Sequence, residues 1–321
     1  MNSLFYKQNV LVTGGTGMIG RALIDMLQKR GANVFSASLD NASIENVVCL
    51  NTDLTIKDNC LKICEGMHYI FHLAGIKGSP KMAAEKPASF AFPMILFNTN
   101  MMEAARLTNP KWYLYTSSIG VYHPVNILKE EDVWKTFPSP FDKFAGWAKR
   151  IGELQAEAYK IEFGMDNISI VRPANVYGPY DNFNPATSMV VSALIARVFS
   201  GENPLKVWGD GSQVRDFIYS YDVAENMIKC VENQVTEPIN IGTGTKRTIK
   251  ELAQIIVDYS DLDVEIEWDT SKPSGDPVRV MDTTRMEKYG LKVDNSLEDG
   301  VFATMDWYKA NSDFKRYDPF E

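Results

Sequence analysis

The sequence predicts an α/β protein with a doubly wound parallel sheet and a smaller C-terminal α/β domain. Short apolar segments alternate with helical patterns through the first half of the chain, which is typical of βαβ units. After Pro173 a segment rich in Gly, Pro and Asn, residues 175–185, interrupts that alternation. The 321 residues, 45% hydrophobic and 23% charged, suffice for two unequal domains. We place the first domain at residues 1–174 with a returning segment at about 214–244, and the second at 175–213 and 245–321.

The first half supplies the strands of the expected sheet. The first predicted helix starts at about Met18, and Ile19, Leu23, Met26 and Leu27 form one apolar stripe along it that would pack on the sheet. The strands of this half are predicted at residues 9–13, 34–36, 47–50, 69–73 and 112–116.

The second half combines new elements with a return to the first domain. A helix near residues 188–199 and a strand and turn at 206–212 begin the smaller domain. The pattern at 217–219, from Tyr221 onward and at 239–242 is again strand, helix and strand, so this segment is expected to return to the first domain. A helix at 249–259 and the remaining chain complete the second domain.

Net charge restricts the class of partner. Lys and Arg number 33 against 41 Asp and Glu, a formal charge of -8, so we expect no nucleic-acid partner and no anionic membrane surface. An anionic ligand must then be held by a few local groups. No stretch approaches the ~18 consecutive apolar residues of a membrane span, and the N-terminus lacks a signal-peptide pattern. The expected location is cytoplasmic.

The four cysteines do not indicate a disulfide framework in a chain of this length. Cys60, Cys64, His68 and His72 recur every four residues and would share one face of an unbroken helix. Gly66 is typical of a helix end, however, and an apolar strand follows it, so the histidines leave that face. We therefore predict no metal site.

A glycine-rich segment between the first strand and the first helix predicts a dinucleotide-binding, Rossmann-like unit. Gly14 allows the tight turn, Gly17 lets backbone N–H groups approach a diphosphate at the helix N-terminus, and Gly20 permits close packing of helix on strand. Met18 and Ile19, at the start of the helix, are included among the predicted cofactor contacts. A glycine turn without a ligand is the alternative.

The choice between NAD and NADP rests on the end of the second strand. Ser38 stands where an acidic residue would bind the adenosine ribose, and Asp40 reaches the ribose if the strand end bulges. NAD is favoured and NADP stays open, because Asp40 would repel a 2′-phosphate that no nearby arginine pairs. Asp53 follows the third strand and is expected either to touch the adenine or to cap a turn or helix.

Several motifs in family order resemble the extended short-chain dehydrogenase/reductases, specifically the nucleotide-sugar epimerase/dehydratase family. Residues 175–185 look most like the GDP-fucose synthase branch. The resemblance implies that the second domain binds a nucleotide sugar and that Leu54, Leu73, Ala74 and Pro173 complete the cofactor contacts. The motifs lie at residues 14–20, 72–75, 116–122, 147–153, 172–179 and 209–217.

The resemblance also assigns a catalytic group of residues. Ser118 matches the family hydroxyl that bonds the reacting oxygen, and Lys149 matches the family lysine that binds the cofactor ribose and lowers the pKa of a tyrosine. The alternatives are a serine that caps the strand end and a solvated helix lysine. Ala145, four residues before Lys149, occupies the position of the family's catalytic tyrosine.

Three explanations for Ala145 remain open. An engineered Tyr→Ala change, made to trap a substrate complex, is favoured because every surrounding motif residue is retained. A natural pseudoenzyme is the second explanation, and an acid relocated to Tyr122 or Tyr180 is the third. Loss of a general acid/base typically costs ~10² to 10⁴ in rate, so we expect a severely impaired enzyme that still binds its ligands.

Residues that mark other reactions of the family are absent. Ile119 and Gly120 replace the Asp–Glu pair of the dehydratases, Gly120 replaces the Cys of the 3,5-epimerases and fucose synthases, and Tyr180 replaces the His of the synthases. The resemblance then favours a 4-epimerase acting on an NDP-hexose, GDP-sugar preferred. A 4-keto reductase or 4-dehydrogenase is the alternative, and a non-catalytic NAD(P)-binding protein is a second.

The substrate contacts are likewise implied by the resemblance. Arg215 and Arg279 match arginines that clamp the diphosphate, and Asn175 matches a residue near the sugar. An ion pair of Arg215 with Asp210 or Asp216 is the alternative. Lys77 is left out as an exposed loop residue. Family members are commonly homodimers, and the helices near residues 98–106 and 148–163 resemble those that form the interface.

Overall fold

A computed structural model describes residues 3–77, 80–272 and 275–317 of the chain. The strands are β1 (Asn9–Thr13), β2 (Asn33–Ser38), β3 (Val48–Asn51), β4 (Tyr69–His72), β5 (Trp112–Thr116), β6 (Ile168–Pro173), β7 (Asn175–Tyr177), β8 (Leu205–Trp208), β9 (Val214–Arg215), β10 (Phe217–Tyr219), β11 (Ile239–Ile241), β12 (Arg247–Thr248), β13 (Ile266–Asp269) and β14 (Val278–Arg279). The helices are α1 (Met18–Lys29), α2 (Lys57–Cys64), α3 (Pro80–Glu85), α4 (Pro87–Thr108), α5 (Lys143–Phe163), α6 (Val190–Phe199), α7 (Ser220–Glu232), α8 (Ile249–Ser260), α9 (Thr284–Lys288) and α10 (Leu297–Ala310).

The largest sheet has seven strands in the order β11-β6-β5-β4-β1-β2-β3. Every pairing in it is parallel. The direction of winding reverses between β1 and β4, which is the arrangement of a doubly wound, Rossmann-like sheet and confirms the predicted fold class. In such sheets ligands bind beyond the carboxyl ends of the strands, at the point of reversal.

Helices cover both faces of the sheet and bury its central strands, whereas the edge strand β3 is largely exposed. One apolar core joins the sheet to α1 and α7, and it contains the predicted stripe residues Leu23 and Leu27. A second core joins the other face to α2, α4 and α5. The strand β5 illustrates the result, since all five of its residues are buried.

The returning segment behaves in two ways. Strand β11 adds to the large sheet beside β6, whereas β10 pairs with β7 in a separate two-stranded sheet. A third core contains residues from 177–217, 249–257 and 297–305. Met286 and Leu291, from the segment assigned to the second domain, pack in the first core instead. The domain boundaries themselves stay a prediction.

Close packing fixes α5 on β5. A Cβ atom added to Gly152 would lie 2.3 Å from the hydroxyl oxygen of Tyr115, so only glycine allows this approach. The Tyr115 hydroxyl in turn donates to the carbonyl oxygen of Lys149, 3.1 Å away. The helix residue that the sequence singles out is therefore held directly over the end of the strand.

The histidines and cysteines of the four-residue repeat are engaged elsewhere. Cys60 and Cys64 are buried in α2, and burial raises the pKa of Cys60 to about 12. The ring nitrogens of His72 lie 2.7 Å from Thr13 Oγ1 and 3.0 Å from Asn98 Oδ1. Among the described residues no cluster of three or more His, Cys, Asp or Glu side chains is arranged to hold a metal ion.

Within residues 3–77, 80–272 and 275–317, no helix is both long enough and apolar enough to span a membrane.

Candidate functional site

The glycine loop lies at the reversal point of the sheet. Gly14 has a φ of 68°, and a Cβ atom there would come within 3.1 Å of the backbone nitrogen of Ala74. A Cβ atom at Gly20 would lie 2.4 Å from the carbonyl oxygen of Gly14. Leu73 N donates to Thr13 O over 3.2 Å. The turn after β1, the start of α1 and the segment after β4 thus meet at one place, as the motif predicts.

The start of α1 fits the diphosphate of a dinucleotide. Gly17 is the N-cap and provides no side-chain cap, so the first backbone N–H groups of the helix, at Met18 and Ile19, receive no side-chain acceptor there. The first turn contains no acidic residue. The helix dipole favours an anion at this end.

Ser38 and Asp40 converge on the glycine loop at the end of β2. The Thr16 hydroxyl donates to Asp40 Oδ2 over 2.7 Å and lies 3.0 Å from Ser38 Oγ. The carboxylate is thereby held beside the loop, where the adenosine ribose of a dinucleotide is expected. This position supports the preference for NAD, because the carboxylate would repel a 2′-phosphate.

Asp53 and Leu54 serve local structure. Asp53 Oδ1 accepts from the backbone nitrogen of Thr55 over 2.8 Å and from its hydroxyl over 2.7 Å, in the turn before α2. The side chain of Leu54 is buried in the second core. The two hydrogen bonds of Asp53 agree with a role in the turn. An adenine contact of Asp53 and a cofactor contact of Leu54 stay predictions.

Lys149 is buried at the carboxyl end of β5. Its Nζ donates to the carbonyl oxygen of Thr116 over 2.8 Å. Burial lowers the pKa of Lys149 to about 8, and the carboxylate of Glu153 opposes this shift. Pro173, also a predicted cofactor contact, is the buried last residue of the adjacent strand β6. Lys149 is therefore buried and is not the solvated helix lysine that was the alternative.

Ser118 follows β5 and caps a short turn. Its Oγ accepts from the backbone nitrogen of Gly120 over 3.1 Å, which leaves the hydroxyl proton free to donate. A Cβ atom added to Gly120 would lie 3.5 Å from Ser118 Oγ and 3.5 Å from Asp142 Cγ, both ordinary contact distances. Ser118, Gly120 and Asp142 therefore border the same small space at the start of α5.

Ala145 lies one helical turn before Lys149 and is partly exposed. Phe144 beside it has an exposed fraction of 47%. Its ring therefore faces solvent, as the helical rotation between neighbouring residues predicts. The chain thus presents a methyl group where the family resemblance places a phenol.

The two tyrosines considered as substitutes have other environments. The Tyr122 hydroxyl donates to Asn240 Oδ1 over 2.6 Å and accepts from Arg172 over 2.9 Å, and burial raises the pKa of this phenol. Tyr180 packs its ring on Trp307, with centroids 4.7 Å apart, and on Phe314. Tyr122 is unsuited to proton transfer, since its hydroxyl is buried and engaged.

A buried ion pair lies one helical turn after Lys149 on α5. Arg172 Nη2 lies 2.6 Å from Glu153 Oε2, and Arg172 Nε donates to Glu153 Oε1 over 2.9 Å. Both side chains are at most 2% exposed. The pair joins α5 to β6. Glu153 and Arg172 lie in the sequence motifs at 147–153 and 172–179, yet nothing in their spacing indicates that they pair.

The two predicted phosphate arginines come together in the smaller sheet. Strands β9 and β14 are parallel, and Arg215 and Arg279 are register partners. Arg279 is already paired, since it donates to Asp276 over 2.9 Å and also contacts Asp142. Arg215 donates to the carbonyl of Val214, and among the described residues no carboxylate lies within 4 Å of its guanidinium.

Burial and the charge of Arg279 lower the pKa of Arg215 to about 10. The alternative partners of Arg215 are occupied: Asp210 accepts from Ser212 N over 2.9 Å, and Asp216 accepts from Thr243 N over 2.9 Å. Arg215 is thus a half-buried cation with no carboxylate within 4 Å among the described residues, although Asp276 and Asp142 act on it from farther away. Such a group favours an anionic ligand.

Asn175 lies beside these groups. Its Nδ2 donates to the carbonyl oxygen of Asp216 over 2.9 Å, which orients the amide at the edge between the two sheets. Lys77, which the sequence suggests is exposed, instead lies 2.9 Å from Asp181 Oδ1, and that carboxylate is 1% exposed. The separation of 104 residues explains why the sequence does not indicate the pair.

Comparison with known proteins connects this geometry to a family. Residues 10–242 match the "NAD dependent epimerase/dehydratase family". The chain is 30% identical to GDP-L-fucose synthase of Escherichia coli (strain K12), over 96% of this chain and 98% of that protein.

Two solved structures are similar over nearly the whole chain. UDP-N-acetylglucosamine 4-epimerase from Methanobrevibacter ruminantium M1, in complex with UDP-N-acetylmuramic acid, has a TM-score of 0.86 and 27% identity, covering 95% of this chain and 99% of that one. A GDP-6-OMe-4-keto-L-xylo-heptose reductase from C. jejuni has a TM-score of 0.83 and 25% identity, covering 95% and 98%.

The lowered pKa of Lys149 predicts a pH-dependent stability effect. In the unfolded chain the amine keeps its usual pKa of 10.5, so below pH 8 folding buries an ammonium at a cost that disappears as pH rises from about 8 to 10.5. We expect Lys149→Met to have the higher free energy of unfolding at pH 7, by roughly 1–3 kcal/mol.

Urea denaturation at pH 7, 9 and 10.5 measures this gap, which should shrink as pH rises. Lys160→Met, an exposed lysine of the same helix, is the control and should show no such trend. A gap for Lys149→Met that stays constant with pH would contradict the prediction.

Proposed function

The chain belongs to the NAD dependent epimerase/dehydratase family, of the extended short-chain dehydrogenase/reductase type, and from this premise we propose that it acts on a nucleotide-diphosphate sugar. The favoured activity is a 4-epimerase that works through a 4-keto sugar, with a GDP-hexose as the preferred substrate. The observation that carries the substrate class is Arg215, a half-buried guanidinium with no carboxylate within 4 Å among the described residues.

The substrate diphosphate would bind at Arg215. A guanidinium presents paired N–H donors that match phosphate oxygens, and burial strengthens such a contact. Arg279 supports it from the neighbouring strand but is largely neutralised by Asp276 and Asp142. Since Asp142 borders Ser118 through the space at Gly120, a diphosphate at Arg215 would extend its sugar toward Ser118.

The cofactor would bind along the glycine loop. Backbone N–H groups at Met18 and Ile19 would bind its diphosphate, and Asp40 would accept hydrogen bonds from the adenosine ribose. The Lys149 ammonium would bind the nicotinamide ribose. Bound NAD supplies the group that accepts a hydride from the sugar carbon and returns it.

Ser118 would orient the reacting sugar hydroxyl through its free hydroxyl proton. The proton of that sugar hydroxyl must then be taken up by another group, and the methyl side chain of Ala145 cannot accept a proton. Loss of this step lowers the rate without removing the binding groups. We therefore infer a severely impaired enzyme and favour a Tyr→Ala change at position 145 over a natural pseudoenzyme. The engaged hydroxyl of Tyr122 is an argument against a relocated acid at that position.

A one-way 4-keto reductase or 4-dehydrogenase is the main alternative activity. The solved relatives include both a 4-epimerase and a 4-keto reductase, and the residues described above serve either reaction. The two differ in redox balance: an epimerase interconverts two sugars without net redox and retains its cofactor, whereas a reductase consumes added NAD(P)H. A non-catalytic NAD(P)-binding protein would bind cofactor and no nucleotide sugar.

We also propose a homodimer through α4 and α5. The outward side of α5 carries Trp147, Ile151 and Leu154 at helical spacing, with exposed fractions of 37%, 37% and 53%. Phe92 and Leu96 on the adjacent helix α4 are 63% and 51% exposed. Together they form an apolar face on two helices that pack on each other, which favours association with an identical face.

Calorimetry with GDP-, UDP-, CDP- and dTDP-sugars tests the substrate class. We expect one of these sets to bind, and Arg215→Met to weaken that binding about 10- to 100-fold, since a charged hydrogen bond contributes ~1.5–3 kcal/mol. Arg247→Met is the matched control, because Arg247 is the register partner of Arg215 on β12 but is paired with Glu298. Failure of every nucleotide sugar to bind would refute the proposal and favour the non-catalytic alternative.

Restoring the phenol tests the catalytic assignment. Ala145→Tyr places a hydroxyl one turn from Lys149, whose ammonium lowers the phenol's pKa, so turnover should rise by at least ~10². The assay follows sugar interconversion and NAD(P)H consumption separately, which distinguishes epimerase from reductase. Ala145→Phe controls for ring bulk. A tyrosine variant no faster than the present chain on the bound sugar would exclude this role for position 145.

Charge on the apolar face tests the dimer. Leu154→Glu should shift the particle from dimer to monomer in light scattering, because two like charges would be buried at the symmetric interface. Leu262→Glu, an equally simple change at an exposed leucine following α8, should leave the mass unchanged. A monomeric parent chain, or a Leu154→Glu variant that stays dimeric, would argue against this interface.

A further inference from the structure

The segment that follows α10, residues 311–317, returns to the glycine loop. After α10 ends at Ala310, the described tail continues to residue 317 and brings the Arg316 guanidinium to Gly17. A Cβ atom added to Gly17 would lie 3.3 Å from Arg316 Nη2. Gly17 is also where a dinucleotide diphosphate approaches the backbone. The tail therefore places a cation at the gap that the diphosphate enters.

Two contacts hold the tail in this position. Phe314 packs edge-on against Trp307 and Tyr180, with ring centroids 5.1 Å and 5.6 Å away. Arg316 Nη1 lies 3.5 Å from Asp181 Oδ1. The neighbours of Lys315 are thus both held, Phe314 by aromatic rings and Arg316 by the Asp181 carboxylate. Lys315 itself is exposed.

Asp181 organises two cations rather than one. It is 1% exposed, accepts from Ser192 Oγ over 2.6 Å, and lies 2.9 Å from Lys77 Nζ. Although burial alone would raise the pKa of Asp181, Lys77 and Arg316 hold it below its usual value. One buried carboxylate facing two cations leaves one positive charge uncompensated, which favours an anionic ligand group.

We propose that Arg316 binds the diphosphate of the dinucleotide, so that the C-terminal tail fastens the cofactor across the glycine loop. This inference rests on the cofactor binding included in the proposed function. It gives the two diphosphates of the reaction separate arginines: Arg316 for the cofactor and Arg215 for the nucleotide sugar. The other proposed diphosphate contacts, at the glycine loop and at Arg215, do not involve residues 311–317, so the contact of Arg316 is additional to them.

The two arginines can be tested against each other. Calorimetry of the full chain with NADH and with GDP should show that Arg316→Met weakens NADH binding about 10- to 100-fold and leaves GDP binding unchanged. Arg215→Met should do the reverse. Arg316→Lys should recover part of the NADH affinity, because it keeps a charge without the guanidinium geometry. Lys315→Met, one residue away and exposed, is the control and should bind both ligands like the parent chain.

The outcomes separate the inference from the proposed function. Unchanged NADH affinity in Arg316→Met would overturn the inference alone. Equal weakening of NADH and GDP, or a lowered melting temperature with both ligands weakened, would mean that Arg316 only supports the fold, and would also overturn it. A parent chain that binds no NADH after any retained cofactor has been removed would overturn the cofactor part of the proposed function together with the inference.

Discussion

The ion pair between Arg172 and Glu153 fixes the geometry on which the candidate site depends. It joins α5 to β6 inside the protein, where two charges are costly to bury, so its value lies in position more than in stability. Glu153 follows Lys149 by one helical turn and opposes the loss of its proton. The same carboxylate therefore influences both the position and the charge of Lys149, the lysine that we propose binds the cofactor. The close fit of Gly152 against Tyr115 completes this restraint.

Counter-ions distinguish Arg215 from Arg279 in the smaller sheet more than sequence motifs do. Arg279 and Arg215 are neighbours on parallel strands, yet one contacts two carboxylates and the other has none within 4 Å among the described residues. The paired arginine ties the start of α5 to the smaller sheet through Asp142. Arg215 has no such carboxylate within 4 Å, which is why we propose it as the group that binds an anionic ligand. A protein of net charge -8 can bind an anionic ligand because such local differences outweigh the overall balance.

Local signals predicted the parts of the molecule that depend on local sequence. Strands at 9–13, 112–116 and 217–219 and the glycine loop agree with the structure, because alternation, apolar runs and turn glycines are short-range patterns. The role of position 145 follows from the family resemblance, which places a tyrosine four residues before Lys149, and it stays a prediction. The pairing of β10 with β7, the two cations at Asp181 and the Arg172–Glu153 pair were not predicted. Each joins residues far apart in the chain, and a single sequence carries no signal for such contacts.

The turn at Gly120 shows how this scaffold accommodates different chemistries. A Cβ atom at position 120 would lie at ordinary contact distances from its neighbours. The turn is capped by Ser118, so it does not depend on the side chain at position 120. A thiol or carboxylate could thus be introduced by one codon change while the cofactor loop, the strand ends and the helix packing stay as they are. Divergence among relatives that share this architecture then requires little remodelling, since new reactivity can be gained at a site whose occupant the fold does not dictate.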